Sequence, residues 1–245
     1  MDLKDRLAVI TGAGRGIGQA TASALATQGA TVALLDQDGE TAQRAAAPLP
    51  AATAWTCDVA DRQQVAQTFH RIADALGPIH ILVNNAGIWR PTPVLEAEEA
   101  DWDRVFAVNV KGLLFCSQAV APGMVARREG KIVNIASVAG FGGSANWSAY
   151  CAAKAAAISL TLALADALDP HDIQVNAVCP GATRTALLEA IERAEPGSTF
   201  DWTHTPQEVA TEVLQLIAPW PYKPQGRVVA MKPSSAVLGI PVQLD

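Results

Sequence analysis

A doubly wound α/β fold, with seven parallel strands covered by helices on both faces, is predicted by three features of the 245-residue chain. Short runs rich in Val and Ile alternate with amphipathic stretches along the chain, the pattern of βαβ units. A glycine-rich turn follows the first of those runs at once. No composition break or long linker divides the sequence, which at this length fits a single domain over residues 1–245.

Strands are expected at 7–11, 31–35, 54–57, 79–83, 131–136, 174–178 and 227–231, bounded by Gly, Pro, Asn or Asp. Helices are expected at 16–28, 39–47, 62–75, 98–127, 149–168 and 206–217. Asp61 and Thr205 stand where N-caps belong, Pro206 at a first helical position, and Gly29 and Gly77 where helices stop. Residues 182–204 break the alternation, being long, mixed and interrupted by Pro196, Gly197 and Ser198. Long connections of this kind serve as lids, so a substrate lid is expected over 182–205.

Composition excludes several classes of function. Half the residues are apolar and only 17% are charged, which gives a buried core rather than a disordered chain. With 18 basic against 24 acidic residues, the net charge of −6 has the wrong sign for a polyanion-binding surface. Neither nucleic acid nor a membrane is expected as a partner. The apolar stretch 155–165 falls short of the roughly 20 residues that span a bilayer. The N-terminus has no signal-peptide pattern, so the cytoplasm is the expected location. Cys57, Cys116, Cys151 and Cys179 lie 28 to 59 residues apart without a CxxC pair, and His70, His80 and His204 are scattered, so no metal site is expected.

The first strand runs into Thr11-Gly12-Ala13-Gly14-Arg15-Gly16-Ile17-Gly18 and then an amphipathic helix. Such glycines allow a tight turn and a close backbone approach to a pyrophosphate, while the helix N-terminus presents unpaired N–H groups. A Rossmann-type dinucleotide site is the expectation. The second strand leads to Asp36, 20 residues after Gly16, where a carboxylate can accept hydrogen bonds from an adenosine ribose. It would repel a 2′-phosphate, and Gln37 beside it supplies no positive charge. Although Arg15 could reach such a phosphate, NAD is favoured over NADP.

The spacing G-x-x-x-G-x-G, with Asn84-Asn85-Ala86-Gly87 after the fourth strand, resembles the short-chain dehydrogenase/reductase family. The likeness continues through Asp58 after the third strand, Asn109, Ser137 after the fifth strand, Tyr150-x-x-x-Lys154, and Pro180-Gly181 after the sixth. It implies that Gly12, Arg15, Gly16, Ile17 and Gly18 hold the pyrophosphate side of the cofactor, and Asp36 and Gln37 its adenosine ribose. Asp58 and Val59 would lie by the adenine. Asn85, Ala86 and Gly87 would line the same crevice, with Pro180, Gly181 and Thr183 toward the nicotinamide. Thr185 is left open.

Tyr150 and Lys154 are four apart on an expected helix and share one of its faces. An ammonium beside a phenol stabilises phenolate, so a lowered Tyr150 pKa is expected. Ser137 ends a strand at the edge where open α/β sheets bind ligands, with no G-x-S-x-G elbow to make it a hydrolase nucleophile. By resemblance, Tyr150 transfers the proton, Ser137 orients the reacting oxygen, Lys154 also binds the nicotinamide ribose, and Asn109 holds a water linked to Lys154. The implied reaction is reversible oxidation of a small secondary alcohol to a ketone. The resemblance also implies a homotetramer formed through the two long helices.

Trp89, Phe141 and Trp147, in loops after the fourth and fifth strands, are the candidate substrate contacts, with Leu187 and Leu188 at the start of the lid. They predict a largely apolar pocket. An alternative within the family is an NADPH-dependent reductase of 3-oxoacyl groups on acyl-carrier protein. Against it stand Asp36 and the acids of Asp169-Pro170-His171-Asp172, which would repel an acidic carrier at Arg128. A non-catalytic dinucleotide-binding scaffold would show a broken Ser, Tyr, Lys or Asn, and all four are intact. An epimerase with a separate substrate domain finds little room after Pro180. The ending Met231-Lys232-Pro233-Ser234-Ser235 departs from the common family close.

Overall fold

The computed structural model describes residues 3–196, 200, 203–217 and 225–231. Its centre is one parallel sheet of seven strands in the order β3-β2-β1-β4-β5-β6-β7. These are β1 (Leu7–Thr11), β2 (Thr31–Asp36), β3 (Ala52–Thr56), β4 (Ile79–Asn84), β5 (Gly130–Ile135), β6 (Ile173–Cys179) and β7 (Val228–Ala230). The helices are α1 (Gly16–Thr27), α2 (Gly39–Ala46), α3 (Arg62–Leu76), α4 (Glu99–Phe106), α5 (Leu113–Arg127), α6 (Ser148–Leu168), α7 (Ala186–Ala194) and α8 (Pro206–Ile217). The strand order reverses between β1 and β4, which places a crevice outside their carboxyl ends.

The continuous apolar runs reflect burial on both faces of the sheet. Ala8 and Ile10 pack with Ala22, Leu25, Val209 and Val213 of α1 and α8 on one side. Leu7 and Val9 pack with Val65, Phe69, Val120 and Met124 of α3 and α5 on the other. Each fully buried Val, Leu, Ile, Phe or Met among them contributes about 1.5–3 kcal/mol, so the central strands anchor the crevice rigidly. The expected stops and caps hold. Asp61 accepts from the N–H groups of Gln63 and Gln64. Thr205 and Glu208 form a reciprocal capping box, with Thr205 Oγ1 accepting from Glu208 N–H at 3.2 Å.

Several boundaries differ from the sequence reading. The third strand begins at Ala52, paired with Val32, and the fifth is shifted to Gly130–Ile135. The last strand keeps only three residues. The helix expected over 98–127 is helical throughout, but Ala107–Gly112 forms a π-turn between α4 and α5. Residues 182–204 hold α7, which Thr185 caps by accepting from Leu188 N–H at 3.4 Å. Its two buried residues, Leu188 and Ile191, give too short a pattern for periodicity to reveal. Parts of the expected lid (197–199, 201–202) and the atypical ending (232–235) lie outside the described residues.

The apolar stretch 155–165 sits within a longer helical run, Ser148–His171; that run and Glu99–Arg127 are long and apolar enough to cross a membrane by length and composition. In this fold their small residues serve close packing: Ala149 and Ala153 of α6 meet Val105 of α4.

Candidate active site

A cavity of about 420 Å³ opens at the crevice. One end is built from backbone. Gly12 and Gly16 have φ of +60° and +58°, the left-handed region that glycine adopts without strain. A Cβ on Gly18 would strike the Gly12 carbonyl oxygen and lie 2.5 Å from Asn85 Nδ2. Arg15, at the N-cap of α1, makes no side-chain cap, so the first-turn N–H groups remain available to an anion in the cavity. Gly12, Arg15, Gly16 and Ile17 line the cavity, and Gly18 sits behind them as a packing position.

Asp36 also lines this end, its Oδ2 accepting from Gly14 N–H at 3.0 Å and its Oδ1 from Asp38 N–H at 3.1 Å. The carboxylate is thereby fixed beside the loop, with Gln37 next to it on the cavity wall. Asp58 accepts from Ala60 N–H at 2.9 Å and pairs with Arg104 at 3.2 Å, while Val59 packs where a Cβ on Gly112 would fall. Both line the cavity.

The loop after β4 is tied to the glycine turn. Asn85 Nδ2 donates to the carbonyls of Thr11 and Gly12, both at 2.9 Å. The N–H groups of Asn85 and Ala86 both donate to Thr11 Oγ1 at 3.0 Å. Thr11 was visible in the motif, but its role as a two-strand clasp was not. Beneath it, Asn84 Nδ2 donates to Ser117 Oγ and to Asn134 Oδ1, and Asn134 Nδ2 donates to Thr161 Oγ1. Polar residues inside apolar strands were the available signal for this buried network, which locks β4 and β5 to α5 and α6.

The four expected catalytic residues converge from three elements. Ser137 follows β5, accepts from Ala139 N–H at 3.1 Å, donates to the Pro180 carbonyl at 3.5 Å, and lines the cavity with Tyr150, near enough to act on its phenol. The short 3₁₀ turn after it presses so closely on α6 that a Cβ on Gly140 would lie 2.7 Å from the Lys154 backbone carbon. That contact sets Ser137 opposite Tyr150. Lys154 Nζ lies 5.7 Å from the Tyr150 ring centroid and donates to the Ile135 carbonyl at 2.8 Å. Asn109 lies in the π-turn, with Oδ1 accepting from Ile88 N–H at 2.9 Å and Nδ2 donating to Ile88 O at 2.8 Å. The inserted residue of a π-turn re-aims such a side chain. Gly87, on the same cavity wall, lies against Asn109 and Lys154.

The charge balance corrects one expectation. Burial pushes the Tyr150 phenol up to about 12, and the nearby Ser137 hydroxyl only partly opposes it. Burial likewise lowers the Lys154 ammonium to about 8. Desolvation thus dominates both groups, and the charge that acts on Lys154 is that of Cys179, not of Tyr150.

Pro180, Gly181 and Thr183 line the cavity beside Thr185, and Thr183 Oγ1 donates to the Gly181 carbonyl at 3.0 Å. Of the aromatic candidates, Trp147 lines the cavity. Trp89 packs edge-on against it, ring centroids 6.2 Å apart, with its indole nitrogen buried and unpartnered among the described residues. Phe141 is not at the cavity: it packs with Ala157 and Leu113 in a small core between α5 and α6. Arg90 pairs with Asp101 at 3.2 Å and Arg184 Nε donates to Thr203 Oγ1 at 3.1 Å, and neither lines the cavity. Ser144 and Ile191 also line the cavity, and no motif in the sequence marks either.

A glycine turn without room for Cβ atoms and an uncapped helix N-terminus fit a dinucleotide. The sequence model described as short chain dehydrogenase matches residues 6–196. The chain belongs to the short-chain dehydrogenase/reductase family. It is an oxidoreductase of that family, whose members bind a nicotinamide dinucleotide. Among relatives, it is 46% identical over 183 residues to a sorbitol dehydrogenase of Cereibacter sphaeroides, covering 74% of this chain and 72% of the relative. It is 45% identical to a galactitol 2-dehydrogenase of Agrobacterium fabrum, over 78% of this chain and 76% of the relative. A 3-ketoacyl-(acyl-carrier-protein) reductase from Brucella melitensis complexed with NADH superposes with TM-score 0.86 at 31% identity, covering 94% of this chain and 97% of that one.

Proposed function

We propose that this short-chain dehydrogenase interconverts a secondary alcohol and a ketone, with NAD(H) as cofactor and Tyr150 as acid/base. The observation that carries the reading is the placing of Tyr150, Ser137 and Lys154 in the same cavity that the glycine turn and Asp36 enter from the other end. When bound, a nicotinamide dinucleotide supplies the hydride transfer. Burial holds Tyr150 as the neutral phenol, its pKa up to about 12, so in reduction it gives its proton to the carbonyl oxygen and is left as phenolate; in oxidation the phenol must first release its proton, and the phenolate then takes the proton of the hydroxyl. Ser137 holds that oxygen. Lys154 adds a cation 5.7 Å from the phenol ring and Asn109 fixes the loop beside it.

Asp36 supports NAD over NADP, since the fixed carboxylate would face a 2′-phosphate. The acyl-carrier alternative is weakened by Asp172, which neutralises Arg128 at 2.6 Å. We further propose that α7 forms the substrate lid of a single domain, that the enzyme is a cytoplasmic homotetramer joined through α5 and α6, and that it needs neither nucleic acid nor a membrane. Steady-state kinetics with both cofactors test the assignment: KM for NAD should be the lower. A KM for NADP equal to or below it would overturn the NAD reading.

A further inference from the structure

The cavity has two chemically different ends. Its charged residues, Arg15, Asp36, Asp58 and Lys154, belong to the glycine turn, the ends of β2 and β3, and the Tyr150 helix face. Beyond Ser137 and Tyr150 the wall is formed by Val138, Ala139, Trp147, Leu187, Leu188 and Ile191, with Ser144 as the added polar side chain. No charged side chain lines this end among the described residues. A carboxylate beside it, Glu195 just after α7, accepts from Trp147 Nε1 at 2.8 Å. This bond ties the indole to α7 across 48 residues of sequence and holds it as a wall of the pocket.

From this we propose that the site selects uncharged secondary alcohols or ketones carrying an alicyclic or aryl substituent, and that Trp147, positioned by Glu195, sets the selection. The proposal rests on the dehydrogenase reading above and narrows it. Ser137 and Tyr150 are committed to the reacting oxygen. Apart from the Ser144 hydroxyl, further hydroxyls of a sugar alcohol would therefore meet carbon, and an apolar pocket disfavours an added hydroxyl by about 10²-fold. A sulfonate or thioester diphosphate would find no counter-charge at this end.

The test compares kcat/KM for 1-phenylethanol and cyclohexanol with sorbitol and galactitol, all with NAD. The apolar alcohols should lead by about 10²-fold. A lead for either sugar alcohol overturns the proposal. Trp147→Ala should cut the 1-phenylethanol value by about tenfold or more while moving sorbitol little. Trp147→Phe, which keeps the ring and its packing, should retain most of the preference. An unchanged preference in a folded Trp147→Ala enzyme removes Trp147 from the account. Calorimetric titration of acetophenone and of sorbitol into the wild-type protein needs no turnover. Saturable binding of acetophenone alone supports the proposal; tighter sorbitol binding, or no acetophenone binding, contradicts it. If acetophenone binds but no alcohol is oxidised, the dehydrogenase reading fails while the selection stands.

Discussion

The two ends of the cavity are built from different materials. At the end proposed for the dinucleotide the wall comes largely from backbone, namely amides of the α1 terminus and glycines with no space for another atom, joined by the carboxylates of Asp36 and Asp58. At the substrate end they come from side chains on the loop after β5, the start of α6, and α7. The first end tolerates almost no substitution because a methyl group collides with fixed backbone. The second can change by swapping one apolar side chain for another, which leaves the sheet and the proton-transfer group in place. A shared fold with varied substrates follows from that division.

Substitutions should break the two ends unequally. The largest effect is expected from Gly18→Ala, whose methyl group would displace Gly12 or Asn85. Overpacking of this kind costs about 1–3 kcal/mol in stability. Here it should also lower NADH affinity by more than about 10², because the turn that presents the amides is what moves. Calorimetry with NADH, beside a denaturation curve, checks it.

The next effect is a pH dependence at the junction of the two ends. Burial lowers Lys154 from 10.5 to about 8, so between those values the unfolded chain holds a proton that the native protein has released. Stability therefore rises with pH across this window. Denaturation of wild type and Lys154→Met should diverge on the order of 1–3 kcal/mol in favour of wild type between pH 8 and pH 10.5. Parallel curves would mean that Lys154 is not desolvated.

Asp36→Asn sharpens the dinucleotide end, because it keeps an acceptor for Gly14 N–H while removing the charge. The ratio of KM for NADP to KM for NAD should fall about tenfold, the scale of one charge-assisted contact. The smallest effect belongs outside the cavity. Asp172→Ala breaks the half-exposed pair with Arg128 and should cost about 0.2–1 kcal/mol without changing kinetics.

The same division explains what could be read from the sequence. Gly12 to Gly18 and Asp36 are legible because backbone geometry admits few residues there, and the alternating strands are legible because burial on both faces imposes apolar runs. Tyr150 and Lys154 are legible as a helix-face pair, but not their acidity, which depends on burial that spacing does not encode. The π-turn at Asn109 leaves no mark in the periodicity around it. Phe141 fails as a substrate contact because loop position says nothing about which way a ring turns. The pairing of Trp147 with Glu195 joins distant segments, and α7 contributes only two buried residues, so neither could be foreseen.

The division of labour is tested most directly in Tyr150→Phe, by measuring turnover and NADH affinity on the same preparation. Loss of general acid–base catalysis should lower kcat by about 10²–10⁴, while NADH affinity stays within about twofold because the dinucleotide end is untouched. Turnover close to wild type in that variant would contradict the account.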